Sequence, residues 1–359
     1  MNSPATLRNP TNPLRGRPLQ RRQFVRLVGG GAVAALAVAN TAGLSDCAQG
    51  MPKEAIEAWD GPNAALAQDA DVRRWLLSYA ILAPHSHNLQ SWVADLRTPG
   101  EITLYCDLKR TLPQTDPLSR QIMLSHGTFL ELLDLAAREC GLRADIALFP
   151  QGAFGPGKLD TRPVATVRLT PDATVQKDPL FGQILQRHTN RSSYDINRAV
   201  PTNAWAAMAA AAIHPVPQSA PVRVGFAGLE QGAAALEKHR RIASEARCIE
   251  LTVPRTIMES FDVLRVDQSE IAAHRDGLSL NAGRAYARVQ LAATAHGLAM
   301  QPLSQALQEY AEQQKPYADI HALVGATARG ETVQMWARVG YAQPVEPAPR
   351  RRLHDFIRA

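Results

Sequence analysis

The chain has 359 residues, 45 % hydrophobic and 20 % charged, the balance of an ordinary folded body with room for two domains. Its net charge of +6 sits in one place. Residues 1–43 hold six arginines (Arg8, Arg15, Arg17, Arg21, Arg22 and Arg26) and no Asp, Glu or Lys, while the rest carries 33 basic and 33 acidic residues. A neutral body argues against a nucleic-acid-binding surface. The four cysteines (Cys47, Cys106, Cys140 and Cys248) form no CxxC pair, which argues against a zinc site or a disulfide scaffold and leaves room for one structural disulfide. Beyond the N-terminus no stretch approaches ~20 uninterrupted apolar residues, so no membrane span is expected there.

In chain order, residues 1–43 have the anatomy of an export signal. A polar basic region ends in Arg21-Arg22-Gln23-Phe24-Val25-Arg26, a mildly apolar stretch runs from Leu27 to Ala39, and small residues suited to cleavage near Ala39 or Ala42 follow. The paired arginines and weak apolar core resemble a twin-arginine (Tat) signal, which implies the Tat machinery as partner and a periplasmic or extracytoplasmic destination. A basic tail beside an Ala-rich helix reads the same way. Lipidation of Cys47 is disfavoured, because Asp46 stands where a small residue is wanted.

Residues 44–68 read as a small-residue linker. Asp71–Ala83 has helical periodicity, with Val72, Trp75, Leu76, Tyr79 and Ala80 on one face, and Pro84 stops it. Trp92–Leu96 and Ile102–Cys106 flank Thr98-Pro99-Gly100 as a hairpin. Pro117 opens a long helix to Cys140, with Gly141 as its stop. Ala144–Phe149 and Val164–Leu169 read as strands around the Gly/Pro-rich loop Pro150–Pro163. A helix from Pro179 runs into RHTNR, Ala204–Ile213 is a further helix, and Val222–Ala227 a strand. Gln231–Ile249, Thr256–Val266 and Ala282–His296 have long helical patterns. Ile320–Ala326 and Val333–Val339 read as a strand pair before a Pro/Arg-rich tail.

Three stretches carry chemistry. The first is Ala83–Trp92, APHSHNLQSW, where Ser86, Asn88 and Gln90 offer small hydroxyl and amide groups in the loop after the helix. Such a cluster is also what any polar loop after a helix stop looks like. The second is Arg187–Asp195, RHTNRSSYD. Arg187 and Arg191 bracket Thr189 and Asn190, and their planar cationic forks match phosphate oxygens, though arginine near a helix end also suits the macrodipole. The third is the tail, where Arg350 and Arg351 stand in a run of three arginines that reads equally as a frayed basic end. His85 and His87 lack a Cys or carboxylate at ligand spacing, so no metal is expected. There is no GxGxxG in a strand–helix setting, no GxxxxGK[ST] and no GxSxG.

On these motifs the chain after about residue 65 resembles the nitroreductase family of FMN oxidoreductases, whose PSxxNxQPW-like turn and arginine phosphate loop come from different subunits of a dimer. Here the turn precedes the phosphate loop by about a hundred residues, which resembles the fused Acg-type subgroup. Ser91 departs from the family's proline, and His85 from its small residue.

The resemblance implies an α+β, nitroreductase-like fold with two pseudo-subunits fused in tandem, residues 69–175 and 176–359, working as a monomer. It implies one FMN held by Ser86, Asn88, Gln90, Arg187, Thr189, Asn190, Arg191, Arg350 and Arg351. It places a backbone N–H of Ser304 or Gln305, after the turn Gly297–Ser304, beside the reactive flavin nitrogen. Gly then Pro after a helix is also ordinary termination. The function implied is an exported oxidoreductase passing electrons from a small-molecule donor to nitro, quinone or similar acceptors. A flavin-binding or flavin-sequestering protein with little turnover is the alternative, and a binding protein for another phosphorylated ligand a third. The helical regions Thr256–Val266 and Ser269–Leu280 are candidates for a lid.

Overall fold

The computed structural model describes residues 52–67, 69, 71–154, 159–212, 222, 224–227, 232–261 and 277–358, all within one compact unit, Gln49–Ala359. The export-signal reading, part of the Pro150–Pro163 loop and most of the lid region lie outside the described residues. The fold is mixed α/β. No helix among the described residues is long and apolar enough to cross a membrane.

Strands β1 (Trp92–Asp95), β2 (Glu101–Cys106), β3 (Leu142–Leu148) and β4 (Ala165–Pro171) form an antiparallel sheet in the order β3-β4-β2-β1. Its fifth strand comes from the other end of the chain. Ile357–Arg358 pairs parallel to β1, with Ala94 opposite Ile357 and Asp95 opposite Arg358. The C-terminus is thereby fixed beside the turn that precedes β1. A second, two-stranded sheet pairs β5 (Ala299–Pro302) with β6 (Ala337–Gly340).

Helix α1 (Val72–Ala80) begins at Asp71, whose carboxylate caps the N–H of Arg73 at 3.1 Å. Helix α2 (Arg120–Glu139) is buried along nearly its whole length, so it shows no polar face and lies at the centre of the core. Its start falls three residues later than Pro117 suggests. Asp116 accepts from the first-turn N–H groups of Gln121 (3.2 Å) and Ile122 (3.0 Å), with Ser119 in the left-handed region between. The remaining longer helices are α3 (Thr202–Ala212), α4 (Gly232–Glu250), α5 (Pro254–Phe261), α6 (Gly277–Ala295) and α7 (Gln314–Leu323).

Helix α2 meets α6 at a glycine crossing. A Cβ on Gly127 would lie 2.0 Å from the Leu280 carbonyl oxygen, and one on Gly283 2.0 Å from that of Leu124. Only glycine lets two helix backbones approach this closely. Fully buried Glu131 accepts from Arg284 Nε (2.7 Å) and Arg288 (2.9 Å) of α6. Asp134 takes Arg284 at 2.8 Å and Asp178 takes Arg288 at 2.9 Å. A carboxylate this deeply buried requires its cations, so these charges fix the register in which the two helices meet.

Four readings of local structure change. Lys53–Ile56, Glu57–Asp60 and Ala64–Ala67 are short helical turns within the stretch read as linker, and Trp59 is buried in the core. After Pro179 only a 3-10 turn forms, to Gln183, and the chain then leaves helical geometry to bridge β5. Val222–Ala227 contributes no strand among its described residues; Phe226 instead packs on Trp205, ring centroids 4.8 Å apart. Ile320–Ala326 is not a strand but largely the end of α7, where Pro316 and Ile320 bury one face at i, i+4 spacing. A short apolar run does not distinguish strand from buried helix. The strand that pairs with β6 is β5, which follows directly on the helix end at Gly297.

Candidate anion site

Helix α1 ends at Ala80 and passes through a turn to Pro84, and a helix end leaves carbonyls without intrahelical partners. Those carbonyls attract cations, because the C-terminal end of a helix is its negative pole. Two arginines from distant parts of the chain converge here. Arg187 donates to Leu82 O at 2.8 Å; Arg350 donates to Leu82 O at 3.2 Å and Ala83 O at 3.4 Å. Both side chains are buried, Arg187 at 1 % exposure and Arg350 at 8 %. Neither forms an ion pair with a carboxylate among the described residues. Burial pulls the Arg187 pKa down to about 10, and that of Arg350 well below its usual value by burial and then by the charge of Arg187.

Unpartnered polar atoms gather around this pair. Arg187 Nε, Arg350 Nε, His188 Nδ1, Tyr286 Oη and Gln290 Nε2 are buried with no hydrogen-bond partner. Gln290 accepts from Arg187 through its Oε1 at 3.2 Å. Burial raises the Tyr286 hydroxyl far above its usual pKa, and the charges of Arg187 and Arg191 act on it in the opposite direction. Burial, then the two arginine charges, lowers His188 to about 4, so its imidazole is neutral at pH 7. Buried polar groups are ordinarily satisfied, and two buried cations without a counter-charge are costly. An anionic oxygen-rich group, a phosphate above all, is what this donor set fits.

The turn His85–Gln90 is held in an uncommon shape. His87, Asn88 and Gln90 have φ of 49°, 56° and 53°, in the left-handed region that non-glycine residues seldom occupy. Hydrogen bonds to the C-terminal segment hold it there. Asn88 donates to Pro349 O (2.9 Å) and accepts from Arg350 (3.0 Å), while Gln90 Oε1 accepts from the N–H of Arg351 (2.8 Å). Asn88 and Gln90 therefore act here as clamps on the segment that carries Arg350. Ser86 lies beside α2, its N–H donating to Ser125 Oγ at 3.0 Å. His85 has both ring nitrogens engaged, with Ser86 O at 2.8 Å and with the N–H of Ser91 at 3.1 Å.

The remaining residues divide. Arg351 spends its guanidinium on Gln90 O (2.9 Å) and Asp355 O (2.7 Å), stapling the tail, while Arg350 bonds Asn88 Oδ1, Pro349 O, Leu82 O and Ala83 O and keeps its buried Nε without a partner. Asn190 is occupied, donating to Gln343 O, 153 residues on, and accepting from the N–H of Ser192. Thr189 bridges Met300 of β5, which brings the phosphate-loop candidate beside the strand leading to Ser304. Arg191 is exposed, so only Arg187 of the two bracketing arginines enters the buried pair. Ser304 and Gln305 open a 3-10 turn and are half-buried, with no hydrogen bond to the arginine pair among the described residues. Sequence reasoning passed over Trp59, Tyr286 and Gln290. The last two are four residues apart on α6, one helical turn, and that spacing was the available signal.

No family model matches the chain. The chain is 26 % identical over 340 residues to a Mycobacterium tuberculosis protein named as a candidate NAD(P)H nitroreductase, in strains CDC 1551 and H37Rv, covering 80 % of this chain and 92 % of the relative. An uncharacterised protein of the same organism is 34 % identical over 121 residues, 32 % of this chain and 33 % of its own length.

Proposed function

We propose that the chain is an FMN-binding oxidoreductase of nitroreductase type, built from two tandem fused halves like the Acg-type subgroup and exported by the Tat route. One observation carries the cofactor reading: Arg187 and Arg350, about 160 residues apart in sequence, are buried together at the end of α1 without a carboxylate. The name of the similar mycobacterial protein supports the same class of chemistry.

In this reading Arg187 and Arg350 hold the FMN phosphate through charge-assisted hydrogen bonds, with Tyr286 and His188 as adjacent polar groups. Asn88, Gln90 and Arg351 keep Arg350 in place by binding the tail to the turn. Ser86 offers a small hydroxyl at the same turn. Thr189, Asn190 and exposed Arg191 form the loop that joins Arg187 to β5. The backbone N–H of Ser304 or Gln305, which open the 3-10 turn after β5, would donate to the flavin ring. Bound FMN supplies electron transfer from a small-molecule reductant to a nitro, quinone or similar acceptor, and the protein binds and orients it. Residues 69–175 and 176–359 are the two halves, and the crossing of α2 and α6 is where they join.

The test is the visible spectrum of the full chain and the mass of any released chromophore. A flavin band with one FMN per chain, in a monomer by gel filtration, is expected. A colourless protein that takes up no added FMN refutes the cofactor assignment, and FMN binding that requires a dimer refutes the fusion. Turnover of bound flavin with a nitrofuran separates an oxidoreductase from a flavin-sequestering protein.

A further inference from the structure

The segment Lys53–Asp60 lies over the arginine pair. The Arg350 Cζ sits over the Trp59 ring at 4.7 Å from its centroid, and the Arg187 Cζ over the same ring at 5.4 Å. The His188 ring packs against Trp59 too, centroids 4.6 Å apart. One indole thus contacts three of the side chains whose buried nitrogens lack partners. It is held there from the C-terminal segment. Trp59 Nε1 donates to Ala348 O at 2.8 Å, and the N–H of Arg350 donates to Ala55 O at 2.8 Å.

We propose that Trp59 is a ligand-positioning wall of the anion site, which holds Arg187 and Arg350 side by side, shields them from water, and thereby slows release of a phosphorylated ligand. A guanidinium carries its N–H groups in its plane, so a ring over its face does not block the Nε–H that each of these arginines keeps without a partner. The π face offsets part of the mutual repulsion of two adjacent cations. Exclusion of water strengthens each remaining charge-assisted bond. The segment Lys53–Asp60 is accordingly part of the site, although it precedes the first regular helix of the body. This inference rests on the phosphate-site reading above.

The experiment measures FMN release from the full chain by recovery of flavin fluorescence, alongside equilibrium binding of riboflavin, which has the same ring and no phosphate. For Trp59→Ala, release is expected about tenfold faster, as for loss of desolvated cation–π contacts, with riboflavin affinity unchanged. Trp59→Phe falls between. Because Trp59 also belongs to the core, the Ala change is repeated in an Arg350→Ala background, where its effect on FMN release shrinks if Trp59 acts through Arg350. Unchanged FMN release in Trp59→Ala, or equal loosening of FMN and riboflavin, overturns the role of Trp59 while leaving the site intact. A wild-type chain that binds neither FMN nor inorganic phosphate overturns the site and this inference together.

Discussion

Replacing Arg187 with Met separates a binding role from a structural one, because one lowers ligand affinity and the other lowers stability. Met keeps the apolar stem and removes the charge. A pKa lowered from 12.5 to about 10 corresponds to roughly 3 kcal/mol against the charged form in the ligand-free protein. The substitution relieves that cost and loses the hydrogen bonds to Leu82 O and Gln290, worth about 1 kcal/mol each. Leu82 O keeps Arg350, so it is not orphaned. The ligand-free protein should therefore stay within about 1 kcal/mol of wild type, a melting shift of roughly 2 °C. FMN should lose a charge-assisted contact of about 1.5–3 kcal/mol, a roughly 10- to 150-fold weaker Kd. Thermal melting without ligand and flavin-fluorescence titration read the two numbers. A ligand-free melt lower by about 6 °C or more with unchanged FMN affinity would show that Arg187 is a structural pin, and the reasoning would fail.

At the helix crossing, Gly127→Ala forces a Cβ to within 2.0 Å of a backbone oxygen, so α2 and α6 must separate; a loss of about 1–3 kcal/mol or more is expected in denaturant melts. Glu131→Gln leaves Arg284 and Arg288 short of a buried counter-charge and should cost about 3–5 kcal/mol, measured the same way. Burial holds His85 near pKa 3 against an ordinary 6.5, so the unfolded chain binds more protons in that window and stability falls as pH drops from about 6.5 toward 3. Asp116, raised by burial to about 6, works the other way between about 4 and 6. The difference in melting-versus-pH slope between wild type and His85→Gln isolates the histidine, and identical slopes would contradict its depressed pKa.

The sequence by itself determined what local chemistry controls. Asp71 marks the start of α1 because it caps it, Pro84 keeps the chain from continuing as helix, although α1 already closes at Ala80, and Gly141 ends α2 with a left-handed turn. The β1–β2 hairpin follows from Thr98-Pro99-Gly100 between two alternating runs. The turn, the RHTNR loop and the arginine tail were legible as separate polar stretches, and in the structure they meet. Tertiary structure alone decided which members are buried together. Arg187 and Arg191 look equivalent in sequence, as do Arg350 and Arg351, yet burial at the end of α1 selects Arg187 and Arg350. Asn88, Gln90 and Arg351 are turned to holding the tail in place. Trp59 falls in the stretch that reads as a linker, and Tyr286 in a helical pattern with nothing to single it out. Their roles depend on contacts across more than a hundred residues, which no local period encodes. The parallel pairing of Ile357–Arg358 with β1 is of the same kind. Two residues of strand carry almost no local signal, and only a sheet edge already formed by the first half gives them a place to pair.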